Sequence, residues 1–188
     1  LNFWVRMPIG YGKTFYHNTL NWKYLTEPVP GFDGRQSYWP RGKVIGGSSS
    51  INAMVFIRGQ AQDFDGWRAL GNPGWAYEDV LPFFKRMEDN LSGADPWRGR
   101  GGPLTVTNIE GVVHPLCRNY LAGGVEAGLV RNKDFNGATQ EGIGIYQITT
   151  RKGFRCSAAT AYLTPARARS NLRVFKAAHA TRVLFDGK

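Results

Sequence analysis

Cysteine, histidine and long apolar runs are all scarce in this chain of 188 residues. Cys117 and Cys156 are its two cysteines, far apart and without CxxC or His-rich spacing. That argues against a disulfide framework or a zinc site and favours free thiols in a reducing compartment. His17, His114 and His179 show no spacing that would build a metal site or a Ser-His-Asp triad. No stretch approaches the roughly eighteen uninterrupted apolar residues of a membrane helix. Residues 1–13 also lack the basic start, apolar core and small-residue cleavage site of a signal peptide. The expectation is a soluble, cytoplasmic protein with no membrane span, peripheral attachment to a membrane staying open. The chain opens on Leu1, not Met, in what reads as folded sequence, so an internal fragment of a longer protein is expected.

Several phosphate and nucleophile motifs are present only in part. Gly12-Lys13-Thr14 resembles the end of a P-loop, but Met7 stands where that loop needs glycine. Gly10-Tyr11-Gly12 and Gly142-Ile143-Gly144 begin a dinucleotide fingerprint whose third glycine is replaced by Phe15 and Gln147. Ser48 follows Gly46 as in a nucleophile elbow, yet Ser50 occupies the second glycine position.

What is present is ordinary globular composition, 42% hydrophobic and 20% charged, with six Trp and 13% aromatics pointing to large buried or ligand-facing surfaces. The net charge of +10 is segregated. Residues 151–188 hold nine Lys/Arg against Asp186 alone, and residues 63–95 hold seven acids against Arg68, Lys85 and Arg86. Such blocks are expected to neutralise each other or further parts of the protein. Repeats and low-complexity linkers are missing, which excludes solenoid architectures.

Residues 1–40, rich in Gly, Pro and aromatics, read as loop with short extended pieces. The apolar run 53–57 suits a short helix or a buried strand. A helix is predicted over 77–89, with Glu78 and Asp79 in its first turn, Val80, Phe84 and Met87 on one face, and Pro82 still within the first turn. Residues 104–107 alternate as a strand, and Pro115 opens a helix that Gly128 closes. Ile143, Ile145 and Ile148 form a second alternation, 157–163 a short helix, and 172–185 two strands before the turn Asp186-Gly187. Mixed strands and helices indicate an α/β fold with α+β character.

Residues 41–59 carry the chemistry. Gly42, Gly46 and Gly47 permit close backbone approach, and Ser48, Ser49, Ser50 and Asn52 can contact a polar ligand. Taken alone, these residues describe equally a tight Gly/Ser loop ahead of a core segment. The stretch resembles the first signature of the glucose/methanol/choline oxidoreductases. The resemblance continues through Asp63-Phe64-Asp65-Gly66-Trp67, Gly71-Asn72-Pro73-Gly74-Trp75, Gly101-Gly102-Pro103-Leu104, Asp134-Phe135-Asn136-Gly137, Arg155-Cys156-Ser157 and Ala161-Tyr162-Leu163, in that family's order. Upstream, Tyr24-Leu25-Thr26-Glu27-Pro28 matches as well, so nearly the whole chain is covered.

The resemblance implies part of a Rossmann-like FAD-binding domain over 1–100 with a flavin-covering segment, part of an antiparallel-sheet substrate domain over 101–165, and a return to the FAD-binding domain over 166–188. It implies that Val44, Gly46, Gly47, Asn52, Ala53, Met54 and Val55 lie against the flavin and that the main chain of Val183 meets the adenine end. Trp67, Trp75 and Phe84 are expected to pack rather than touch substrate. Ile51 falls where some members carry the His that bonds FAD covalently, so non-covalent FAD is implied. No catalytic base is expected in this chain. The implied activity is hydride transfer from a primary alcohol, choline-like or other, to flavin, with an unspecified electron acceptor. A different class remains: a basic, aromatic module that grips nucleic acid, or a non-catalytic structural fragment.

Overall fold

The computed structural model describes residues 2–187. The chain begins with two short helices, α1 (Phe3–Arg6) and α2 (Tyr11–Thr14), where loop was expected. Their cause is local: Asn2 Oδ1 accepts from Trp4 N at 2.9 Å and caps α1, and Pro8 starts the tight turn between them. Strands β1 (Tyr24–Leu25) and β2 (Tyr38–Trp39) then pair antiparallel, the short extended pieces the sequence led one to expect.

Helices α3 (Ala61–Ala69) and α4 (Tyr77–Met87) pack around Phe64, whose ring meets Trp67 at 5.2 Å, Phe84 at 5.5 Å and Tyr77 at 6.0 Å between centroids. Trp75 extends the cluster at 5.6 Å from Trp67. Asp79 caps α4 by accepting from Ala76 N at 3.0 Å. Pro82 lies inside α4, not in its first turn, because the helix starts at Tyr77. It leaves the Glu78 carbonyl without its usual helical donor.

α4 runs directly into β3 (Glu88–Asn90), which pairs in parallel with β4 (Leu104–Val106). Gly102 makes that pairing possible, since a Cβ there would stand 2.5 Å from the Met87 carbonyl carbon. Beyond β4, Thr107 and Ile148 exchange backbone bonds, and Val55 bridges to Ile148 from the other side. In the apolar run 53–57, Val55 thus joins a bridge and no helix forms, with Met54 before it left-handed, and the alternation 143–148 yields isolated bridges rather than a continuous strand.

Helix α5 (Pro115–Glu126) has Pro at its first turn and ends as expected at Gly128, φ +93°. Gly128 N reaches Val125 O and Leu129 N reaches Gly124 O, the paired bonds of a Schellman stop. The hairpin β5 (Thr150–Arg151) and β6 (Phe154–Arg155) turns through Lys152 at φ +50° and Gly153 at φ +77°. Two successive positive φ values define a type I′ turn, in which lysine is poorly suited and asparagine well suited. Lys152→Asn is therefore expected to raise stability by roughly 1 kcal/mol, read as a higher melting temperature; an unchanged or lower one contradicts the turn assignment. The helix expected over 157–163 winds wider than α, as a π turn over Ala159–Leu163, before α6 (Thr164–Ala166).

The class is mixed α/β, with three two-stranded sheets among the described residues. Residues 172–185 form no strand. Alternation prepares a strand, but its backbone needs a neighbour to bond, and no described residue pairs with this segment. Val183 is 77% and Phe185 86% exposed. The acidic and basic blocks do not pair with each other among the described residues. Among the described residues, ion pairs of the acidic 63–95 segment run to Arg58, Arg68, Arg98 and Arg100, none to 151–187. No helix among the described residues is long and apolar enough to cross a membrane.

Candidate functional site

The Gly/Ser stretch folds into a tight turn held by its own side chains. Gly46 (φ +93°) and Gly47 (φ +55°) are both left-handed, and Gly47 N closes the turn on Val44 O at 2.8 Å. Ser49 Oγ donates to Gly46 O at 2.6 Å and Ser50 Oγ to Ile45 O at 2.9 Å, while Ser48 Oγ accepts from Gly42 N at 3.2 Å. The serines read as possible ligand contacts thus build the turn instead.

The next residues alternate in environment. Asn52 and Val55 are exposed, Ala53 half-buried, and Met54 buried at φ +64°. Asn52 Oδ1 accepts from Met54 N at 3.1 Å, and Met54 O receives Thr149 N at 2.9 Å, which pins the exit of the turn to the 147–149 segment.

Arg155 opens the Arg155-Cys156-Ser157 motif, and the sequence alone assigns it no role. It is 4% exposed and crosses to this turn from β6. Its Nη1 donates to Ser49 O at 3.1 Å, Asn52 O at 2.7 Å and Asn52 Oδ1 at 2.8 Å, and its Nε to Val5 O at 3.0 Å. Burial pushes its pKa down to about 10, which leaves it cationic at neutral pH.

Two cavities meet at Val44 and Ile45. One, of about 460 Å³, is lined by Arg6, Arg151, Lys152, Arg155 and Arg167, with no carboxylate in its wall among the described residues. The other, of about 700 Å³, lies between Lys43, Val44 and the 175–179 segment. There His179 packs on Trp22 at 4.9 Å between centroids. His17 and His114 are used locally, each accepting a backbone N–H two residues on. The turn therefore gathers Val44, Gly46, Gly47, Asn52, Ala53, Met54 and Val55 in one place, whereas Val183 lies in the exposed 172–185 segment.

A planar aromatic cofactor fits these residues. A Cβ on Gly47 would find nothing within 4 Å, so its face is bare backbone open to a ring, and the side chain of Ile45, two residues before it, is exposed. Gly46 differs: a Cβ there would stand 2.4 Å from Ser50 Oγ and 3.1 Å from Ala159 Cβ, so this glycine serves internal packing.

In this mixed α/β fold, the left-handed glycine turn leaves backbone open on one face, with room there for a planar cofactor. The GMC oxidoreductase family model matches residues 11–188, and the chain belongs to that family. It is 47% identical over 184 residues to the oxygen-dependent choline dehydrogenase of Sinorhizobium fredii, covering 98% of this chain and 33% of that protein. The enzyme of the same name from Sinorhizobium medicae is 45% identical, with the same coverage. Among solved structures, pyridoxine 4-oxidase from Mesorbium loti superposes with a TM-score of 0.88 at 34% identity, over 94% of this chain and 35% of that one. The chain thus spans about a third of the length of the relatives it matches.

Proposed function

We propose that the whole protein is an FAD-dependent oxidoreductase that takes hydride from a primary alcohol. The observation that carries the reading is the 44–55 turn, with its open Gly47 face, inside a family match that covers almost the entire chain. In this reading Val44, Gly47, Asn52, Ala53, Met54 and Val55 form the wall against the flavin ring, Gly46 shapes the turn behind it, and the main chain of Val183 meets the adenine end. Residues 1–100 and 166–188 belong with the FAD-binding domain and 101–165 with the substrate domain. FAD, when bound, accepts the hydride. The residues of this chain orient the ring and exclude water from one face of it; none of His17, His114 or His179 acts as base. The names of the sequence relatives favour a choline-like alcohol, and the pyridoxine oxidase an aromatic one. The free thiols Cys117 and Cys156 favour a reducing compartment such as the cytoplasm. The nucleic-acid reading finds no support in the family match.

The test is anaerobic mixing of the full-length protein with choline and with benzylic alcohols. Bleaching of the oxidised flavin band by at least one of them is expected; a protein without flavin, or flavin that no primary alcohol reduces, rules the reading out. The cofactor is also expected to be non-covalent. Ile51 is an alkyl side chain, 1% exposed, with no nucleophilic atom. Acid precipitation should therefore leave all flavin in the supernatant, and yellow colour in the pellet would contradict this.

A further inference from the structure

We propose that Arg155 is the positioning residue of the flavin-facing turn, holding the main chain and side chain of Asn52 at the angle the ring requires. This rests on the reading that Asn52 faces flavin. Four bonds define the arrangement: Nε to Val5 O at 3.0 Å and Nη1 to Ser49 O, Asn52 O and Asn52 Oδ1 at 3.1, 2.7 and 2.8 Å. All four acceptors are neutral, and Nη2 has no hydrogen-bond partner among the described residues.

A cation buried without a carboxylate is an expensive way to tie two segments together, because burial disfavours the charge and nothing cancels it. The depressed pKa of Arg155 has burial as its cause. What the guanidinium offers in exchange is a rigid fork of donors, fixed in one plane, that reaches α1 and the turn at once. A lysine has one nitrogen and no fork. The placement is selective as well. Arg155 grips both polar atoms at Asn52 that point inward, and Asn52 Oδ1 also receives Met54 N. Met54 is left-handed, a conformation a non-glycine residue keeps only when its neighbours hold it. A second tie joins the same two segments, Ala158 N donating to Ser49 Oγ at 2.9 Å. Residues 155–158 thus fix the turn from 103 residues downstream of Asn52, as the Arg155–Asn52 separation measures.

The test is a double-mutant cycle on flavin affinity in the full-length protein, with Asn52→Ala, Arg155→Lys and the pair combined. Each single change is expected to weaken flavin binding about tenfold, the scale of one lost charge-assisted hydrogen bond. The double should fall clearly short of the product of the two, because both remove the Arg155–Asn52 Oδ1 bond, while the bond to the Asn52 carbonyl is lost with Arg155 alone. A double loss near the product, about a hundredfold, overturns the proposal. So does an unchanged affinity in folded Arg155→Lys while Asn52→Ala is weakened, and in that case the flavin placement survives. If Asn52→Ala binds flavin as wild type does, the flavin placement itself fails and the proposal with it. Should Arg155→Lys not fold, Asn52→Asp decides. It keeps the acceptor atoms and gives Arg155 a carboxylate, so the melting temperature should rise; a fall means the two residues do not touch, and the proposal is wrong.

Discussion

Glu88→Gln is expected to cost the folded protein about 3–5 kcal/mol, the usual effect of removing one partner from a buried ion pair. Glu88 is fully buried between Arg58 and Arg98, which are themselves 3% and 2% exposed at the side chain. Its Oε1 receives Arg98 Nε at 2.9 Å and Asn90 Nδ2 at 3.0 Å, and its Oε2 receives Arg58 Nη2. The arginines are in turn fixed by Asp134, 2.8 Å from Arg98 Nη1, by the Trp97 carbonyl, 2.7 Å from Arg58 Nη1, and by Gln147. Phe56 lies under both guanidinium groups, at 5.9 and 5.6 Å. Burial is the largest influence on Arg58 and lowers its pKa, and the Glu88 charge is the first to oppose it. Glutamine keeps the shape and removes that charge. Two buried cations then face a neutral amide whose NH2 points at one of them. A loss of this size is a large share of the roughly 5–15 kcal/mol that holds a domain together.

The denaturation midpoint of the full-length protein is the measurement. The exposed pair Arg68–Glu78, 3.9 Å apart, is the control, and Glu78→Gln there should change stability by less than about 1 kcal/mol. If Glu88→Gln is as mild as the control, the buried network is not the support described.

Helices α4 and α5 were legible in sequence because their signals are local: acids in the first turn and an apolar face for α4, Pro115 and Gly128 as end marks for α5. The 44–55 turn was legible as a turn for a related reason, since a run of glycine and serine breaks regular structure locally. The Glu88 network was not. Its members Arg58, Glu88, Arg98, Asp134 and Gln147 lie in four separate segments, and each alone reads as a surface charge or amide. Arg155 stood inside a recognised motif, but its partners lie at Val5, Ser49 and Asn52, so no spacing could give its role. The 172–185 segment failed the other way. Its alternation is real, but a strand also needs a neighbour, which a single sequence does not name. The start of α4 at Tyr77 was legible, but Pro82 is its sixth residue and so lies past the first turn, where it removes a helical hydrogen bond that the apolar face of the helix tolerates.

Gly47→Val is expected to leave the full-length protein folded and to empty it of flavin. The two effects separate because of where Gly47 sits. At φ +55° a β-branched residue carries strain of about 1–3 kcal/mol, which lowers the melting temperature without abolishing the fold. A new Cβ meets no protein atom within 4 Å, so no clash inside the chain adds to that strain. The valine methyls instead stand out from the turn, over the bare backbone where the ring is placed. In the proposed placement, a ring displaced by one methyl group's thickness loses its contacts with Val44 and Val55, and an affinity loss on the order of a hundredfold or more corresponds to about 3 kcal/mol. Gly46→Ala should behave oppositely: its Cβ would strike Ser50 Oγ and crowd Ala159, so stability falls first and flavin follows only as the turn distorts. The ratio of bound flavin to protein, read beside the melting temperature for both variants, distinguishes them. A Gly47→Val protein that keeps its full complement of flavin would show that the ring does not lie on this turn, because no rearrangement of a valine at that position leaves its face bare.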